Sequence, residues 1–160
     1  MKAMAAVVSM ILLAAACGDE GGASDTVKLF AEYLADSSYQ EAWGLITPES
    51  RAMFDSTASV LHKFGWLEAR EAVVKFMGEM TREEFEELTG EDIFCRMVIN
   101  APETRELSTS VKSVSFPDSS VAVVVMKTRE GLQEIIVRKY NGEWLVDLTN
   151  LSPPVRGEVR

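Results

Sequence analysis

Apolar residues recur along the first half of the chain with the period of helices, and along the second half with that of strands. Val27, Phe30, Ala31 and Leu34 follow the i, i+3, i+4, i+7 spacing of a helix that Ser24 or Asp25 can cap. Asp36-Ser37-Ser38 breaks it, and Tyr39, Ala42, Trp43 and Ile46 form a second short stripe. Thr47-Pro48-Glu49 restarts the helical pattern, with a capping hydroxyl, proline at the first helical position and an early acid. That third helix carries Met53 and continues through Val60, Leu61 and Phe64 to Gly65. A fourth, about Leu67 to Met80, presents Ala69, Ala72, Val73, Phe76, Met77 and Met80 as one apolar face. Thr81-x-x-Glu84 is a capping box for a fifth helix that buries Phe85 and Leu88 and stops at Gly90.

The period then changes. Val111, Val114 and Phe116 mark a strand, and Pro117-Asp118-Ser119-Ser120 a turn. Val121 to Thr128 is β-branched and nearly continuous, which predicts a central strand covered on both sides. Arg129-Glu130-Gly131 turns the chain into a strand over Leu132 to Tyr140. Asn141-Gly142 is a strong hairpin signal, and Trp144, Val146 and Leu148 share a face of the closing strand. Helices followed by a strand meander predict an α+β fold, with N-terminal helices packed on a curved antiparallel sheet of four or more strands. Residues 26–150 form one domain and 151–160, with Pro153-Pro154, an irregular tail.

The N-terminus has a different pattern. Lys2 precedes an uncharged, largely apolar stretch, Ala3 to Ala16, which ends in small residues directly before Cys17. It is shorter than the roughly 20 residues a helix needs to span a bilayer, and it lacks the polar face of a surface helix. The segment resembles a bacterial lipoprotein signal peptide over residues 1–16, with Ala14 three positions before the cysteine. An ordinary secretory signal cut after Ala16 obeys the same small-x-small rule, and the cysteine directly after it favours lipidation. The resemblance implies a diacylglycerol thioether on Cys17, and two or three acyl chains hold a membrane stably where one does not. It also implies a bacterial cell-envelope location. Gly18 rather than aspartate after the cysteine points to the periplasmic face of the outer membrane in a Gram-negative cell. Residues 17–25 then read as a tether spanning roughly 15 Å root-mean-square.

Sixteen Lys and Arg against 25 Asp and Glu leave a net charge of −9, and losing Lys2 with the signal makes it one unit more negative. That excludes nucleic acid as a partner and an electrostatic grip on anionic lipid. With Cys17 acylated, Cys95 has no disulfide partner, and its Ile-Phe-Cys-Arg-Met-Val setting is that of a small core residue.

The segment Asp36-Ser37-Ser38-Tyr39-x-x-Ala42-Trp43-x-x-Ile46-Thr47-Pro48 resembles the opening of small envelope lipoproteins of the nuclear-transport-factor-2-like superfamily. Asn141 to Asp147, Asn-Gly-Glu-Trp-Leu-Val-Asp, resembles that superfamily's last hairpin. The resemblance covers about Thr26 to Asn150 and implies a cone with a cavity between helices and sheet. Tyr33, Trp43, Phe76 and Trp144 are the candidates to bind a small apolar ligand there.

Some superfamily members, polyketide cyclases and ketosteroid isomerases, need a carboxylate or histidine inside that cavity. Tyr33, Asp55 and His62 are the residues of suitable type, and none falls in a transferable motif, so no catalytic residue is assigned. One histidine and two cysteines do not make a zinc site. Glu83, Glu84, Glu86, Glu87, Glu91 and Asp92 lack calcium-loop spacing, and no phosphate-binding or dinucleotide motif occurs. No metal or cofactor is expected. The expected function is a lipid-anchored, non-enzymatic domain that binds a small apolar ligand or an envelope protein. A cavity enzyme and a structural accessory subunit are the alternatives.

Overall fold

The first helix, α1, is already regular at residue 21 and runs to residue 35 in the structure, a computed structural model that describes residues 21–101, 110–128 and 131–150. It begins before the expected caps: Ser24 lies inside it, its hydroxyl donating to Gly21 O at 3.2 Å. Gly21 to Ser24, expected in the tether, are therefore part of the folded domain, and Ala23 is fully buried. The helix ends where Asp36-Ser37-Ser38 predicts, with Ser37 left-handed (φ 62°) and Ser38 N donating to Tyr33 O at 2.8 Å. Cys17, the residues before Gly21, Arg129-Glu130 and the 151–160 tail lie outside the described residues.

Among the described residues, five further helices follow. They are α2 (Tyr39–Gly44), α3 (Pro48–Phe64), α4 (Trp66–Met77), α5 (Arg82–Glu86) and α6 (Gly90–Asn100). Thr47 caps α3, with Pro48 at its first position, and the Thr81–Glu84 capping box opens α5. The expected stop of the fifth helix at Gly90 is corrected: α5 already ends at Glu86, and Gly90 starts another helix. It is the first residue of α6, behind a second capping box in which Thr89 and Asp92 exchange hydrogen bonds. A Cβ on Gly90 would stand 2.7 Å from Asp55 N, so the bare glycine lets α6 approach the backbone of α3.

The meander forms one open antiparallel sheet in the order β1-β2-β3-β4: β1 (Val111–Asp118), β2 (Val121–Thr128), β3 (Gly131–Tyr140) and β4 (Glu143–Asp147). Asn141 (φ 50°) and Gly142 (φ 90°) make the tight β3–β4 turn. Helices pack on one face, where Ala122, Val124 and Met126 of β2 are fully buried. The fold is α+β. The expectation of a strand covered on both sides is corrected: β2 lies inside the sheet, but Val121, Val123 and Val125 on its other face are only half-buried. Alternation, not continuity, describes its burial, because helices follow only one side of the sheet.

Two helix faces also differ from the sequence pattern. α3 buries Ser50, Phe54 and Ala58, while Met53, Val60 and Phe64 point outward. α4 buries Ala69, Val73 and Met77, whereas Ala72 is exposed and Phe76 is 57% exposed. The physical reason is the narrow seam. α4 packs beside α3, α5 and α6, and only a stripe one residue wide meets them. Fully burying each Val, Ile or Phe contributes about 1.5–3 kcal/mol, so Ile93, Phe94, Val73 and Ile46 are principal members of this core.

Candidate functional site

The densest buried polar cluster sits where the α2–α3 corner meets the last strand. Ile46 forms a parallel bridge with Val146. Thr47 N donates to Val146 O at 2.9 Å and Val146 N to Leu45 O at 2.8 Å. The hydroxyls of Thr47 and Ser50, both fully buried, hydrogen bond at 2.8 Å, and Ser50 Oγ accepts from Leu148 N at 2.8 Å. Thus segments 36–48 and 141–147 meet in space.

Charges rim the cluster. Arg138 Nε donates to Asp147 Oδ2 at 2.6 Å, and Thr149 gives Asp147 Oδ1 both its amide (2.9 Å) and its hydroxyl (2.6 Å). Burial works to raise the Asp147 pKa, yet the Thr149 and Arg138 hydrogen bonds outweigh it and hold the carboxyl below its ordinary value. Tyr140 OH donates to Glu49 Oε2, which pushes the phenol pKa up to about 12. These side chains are mutually satisfied, and a satisfied network rigidifies rather than reacts. Sequence reasoning identified Thr47 as a cap. It missed Ser50, Arg138, Tyr140 and Asp147, and only the Thr47-x-x-Ser50 spacing offered a local signal.

The ligand-binding candidates lie on four elements. Tyr33 on α1 is half-buried against the core. Trp43 on α2 packs on Phe54 and Phe94 at ring distances of 5.9 and 5.6 Å, and Phe54 and Phe94 themselves meet at 5.6 Å. Arg51 lies over the outer side of the Trp43 ring at 5.9 Å. Phe76 on α4 carries Lys75 over its ring. Trp144 on β4 meets Phe116 at 5.9 Å and Lys139 Nζ at 5.3 Å. Among the described residues, no ring pair joins two of these four. Trp43 belongs to an interlocked aromatic cluster instead.

The acid–base candidates have structural partners. Asp55 packs against Gly90. His62 is exposed at the end of α3, its Nε2 donating to Phe85 O at 2.9 Å and its ring edge-on to Phe85. Both tie α3 to the segment after α4. Among the described residues, no hydrogen bond or ion pair links any two of Tyr33, Asp55 and His62. Cys95 is half-buried and free; burial pushes its thiol pKa up, and Glu91 and Asp92 add to this, so it is a poor thiolate. The acidic run is used for caps and pairs: Glu84 Oε2 accepts from Thr81 N and Glu84 Oε1 from Arg96, and Glu86 pairs with Arg82. Among the described residues, no cluster of His, Cys, Asp or Glu could hold a metal ion, and no helix is long and apolar enough to cross a membrane.

What remains outward and unusual is α3. Met53, Val60 and Phe64 lie along one exposed stripe, Phe64 at 63% exposure, and Leu67 on α4 is 86% exposed. From Ala52 to Leu61 the helix carries a single charge, Asp55, in a chain of net charge −9. Beside it, Leu67, Arg70, Glu71, Val74, Lys75 and Glu79 line a shallow groove of about 420 Å³. No family model, curated protein or solved structure matches the chain.

Proposed function

We propose that the chain is a lipid-anchored envelope protein whose α+β domain is a non-enzymatic module that binds a protein partner. The anchor rests on the Met1–Cys17 pattern. The binding reading is carried by the outward stripe of Met53, Val60 and Phe64 on α3. Exposed apolar residues aligned on one helix and nearly free of charge are the chemistry of a protein interface. A protein partner is favoured over a small apolar ligand because Trp43, Phe54 and Phe94 pack against one another, leaving outward side chains to do the binding. The superfamily resemblance gains support from the Ile46–Val146 bridge between its two segments.

A photo-crosslinking residue at Met53 tests this in intact cells. A discrete adduct is expected, lost in the Val60→Glu, Phe64→Glu double variant, whose folding stability changes by less than about 1 kcal/mol because both sites are exposed. Cys17→Ala should abolish labelling by a fatty-acid probe and release the protein from membranes. Absence of a discrete adduct overturns the partner reading, and unchanged labelling overturns the anchor.

A further inference from the structure

We propose that the end of the domain formed by the start of α1, the Asp118–Ser120 turn and the Asn141–Gly142 turn rests on the lipid bilayer, with Phe116 at the contact. The inference rests on the reading of Cys17 as the lipid attachment site. Between Cys17 and Gly21 stand only Gly18, Asp19 and Glu20. Four fully extended residues reach at most ~14 Å, so an acylated Cys17 holds the start of α1 close to the headgroups.

That first turn is secured to the sheet. Ala23 is fully buried, and a Cβ on Gly22 would lie 3.1 Å from the Trp144 ring. Thr26 Oγ1 lies 3.0 Å from Gly22 O and 3.3 Å from Trp144 O. Trp144 meets Phe116 and Lys139, and Lys139 N donates to Ser120 O at 2.8 Å. These contacts gather both turns around the point where the anchor enters.

The surface there suits a bilayer. Phe116 is 38% exposed, and it and Lys139 both meet the Trp144 ring; a phenyl ring suits the acyl boundary, while a lysine reaches up to the headgroups. Asp19, Glu20, Asp25, Asp118 and Glu143 outnumber Lys28 and Lys139 at this end, so anionic lipid adds no attraction and the acyl chains supply the attachment. Thr128 and Gly131, which pair at the other end of β2 and β3, lie about 20 Å away along β2.

Full-length lipidated protein carrying Cys95→Ser tests the orientation, since a thioether at Cys17 leaves an introduced thiol as the sole label site. Ser119→Cys and Lys127→Cys, both exposed positions, are labelled with a fluorophore. The protein is reconstituted in phosphatidylcholine vesicles containing a headgroup spin-labelled lipid. Quenching should be several-fold stronger at 119 than at 127, and should not increase when phosphatidylglycerol is added. Protein that floats with the vesicles but is quenched equally, or more at 127, overturns the orientation and leaves the anchor standing. Protein that neither floats nor carries acyl mass overturns the anchor and the orientation together.

Discussion

Gly90 shows how one missing side chain sets the distance between two helices. A Cβ there would meet Asp55 Oδ1 at 2.2 Å, Asp55 N at 2.7 Å and Asp55 Cα at 3.0 Å. The carboxylate can swing aside, but the backbone cannot move without moving α3. Alanine is the better helix former by about 1 kcal/mol in a helix interior, while overpacking a close contact costs about 1–3 kcal/mol. The first helical position gains little of the propensity, so the clash wins. Gly90→Ala should lower unfolding stability by about 1–2 kcal/mol in urea titration. An increase would mean that α6 shifts freely on α3.

The elements are held by caps as much as by apolar faces. Thr47 caps α3 through Ser50 N (3.2 Å), and its own amide joins β4. Replacing it with valine keeps the volume, but leaves Ser50 N without its acceptor in a site with no exposure. Thr47→Val should therefore cost about 1–3 kcal/mol, read as a lower denaturation midpoint with an unchanged m-value. A cost near zero would show that the Ile46–Val146 bridge alone holds the corner. The sheet edges are managed in the same local way. β4 is covered by Leu45 to Thr47, and the outer strand β1 carries Pro117 and two irregularities in register.

Across the whole molecule, the helical half and the meander are joined at this corner by polar contacts that respond to pH. Tyr140 on β3 donates to Glu49 on α3, and its pKa rises from the ordinary 10.0 to about 12. A raised folded-state pKa means that the pair's contribution is complete below pH 10 and is lost as pH climbs through about 12. Absorbance titration should show the Tyr140 phenol ionising late. Glu49→Gln should bring that phenol back toward the ordinary 10.0, because the hydrogen bond to the carboxylate is the main cause of the shift. A late phenol that persists in Glu49→Gln, or is absent from the parent, would remove this link between the halves.

Much of this architecture could be read locally. The Thr47-Pro48 start, the Thr81 capping box, the Asn141-Gly142 turn and the change of period are short-range signals, because caps and turns are satisfied within four residues. α6 was hidden behind Gly90, although Thr89-x-x-Asp92 repeats the capping pattern of Thr81-x-x-Glu84. Tertiary packing decided which apolar residues are core. Phe54 and Phe64 lie on the same helix and differ only in which neighbour each meets, so periodicity cannot rank them. The Ser50–Leu148, Arg138–Asp147 and Glu49–Tyr140 bonds also belong to the folded state alone. The outer stripe of α3 is the sharpest case. Along the chain Met53, Val60 and Phe64 read as core, and only the placement of α6 and α2 on the opposite side of that helix leaves them facing outward.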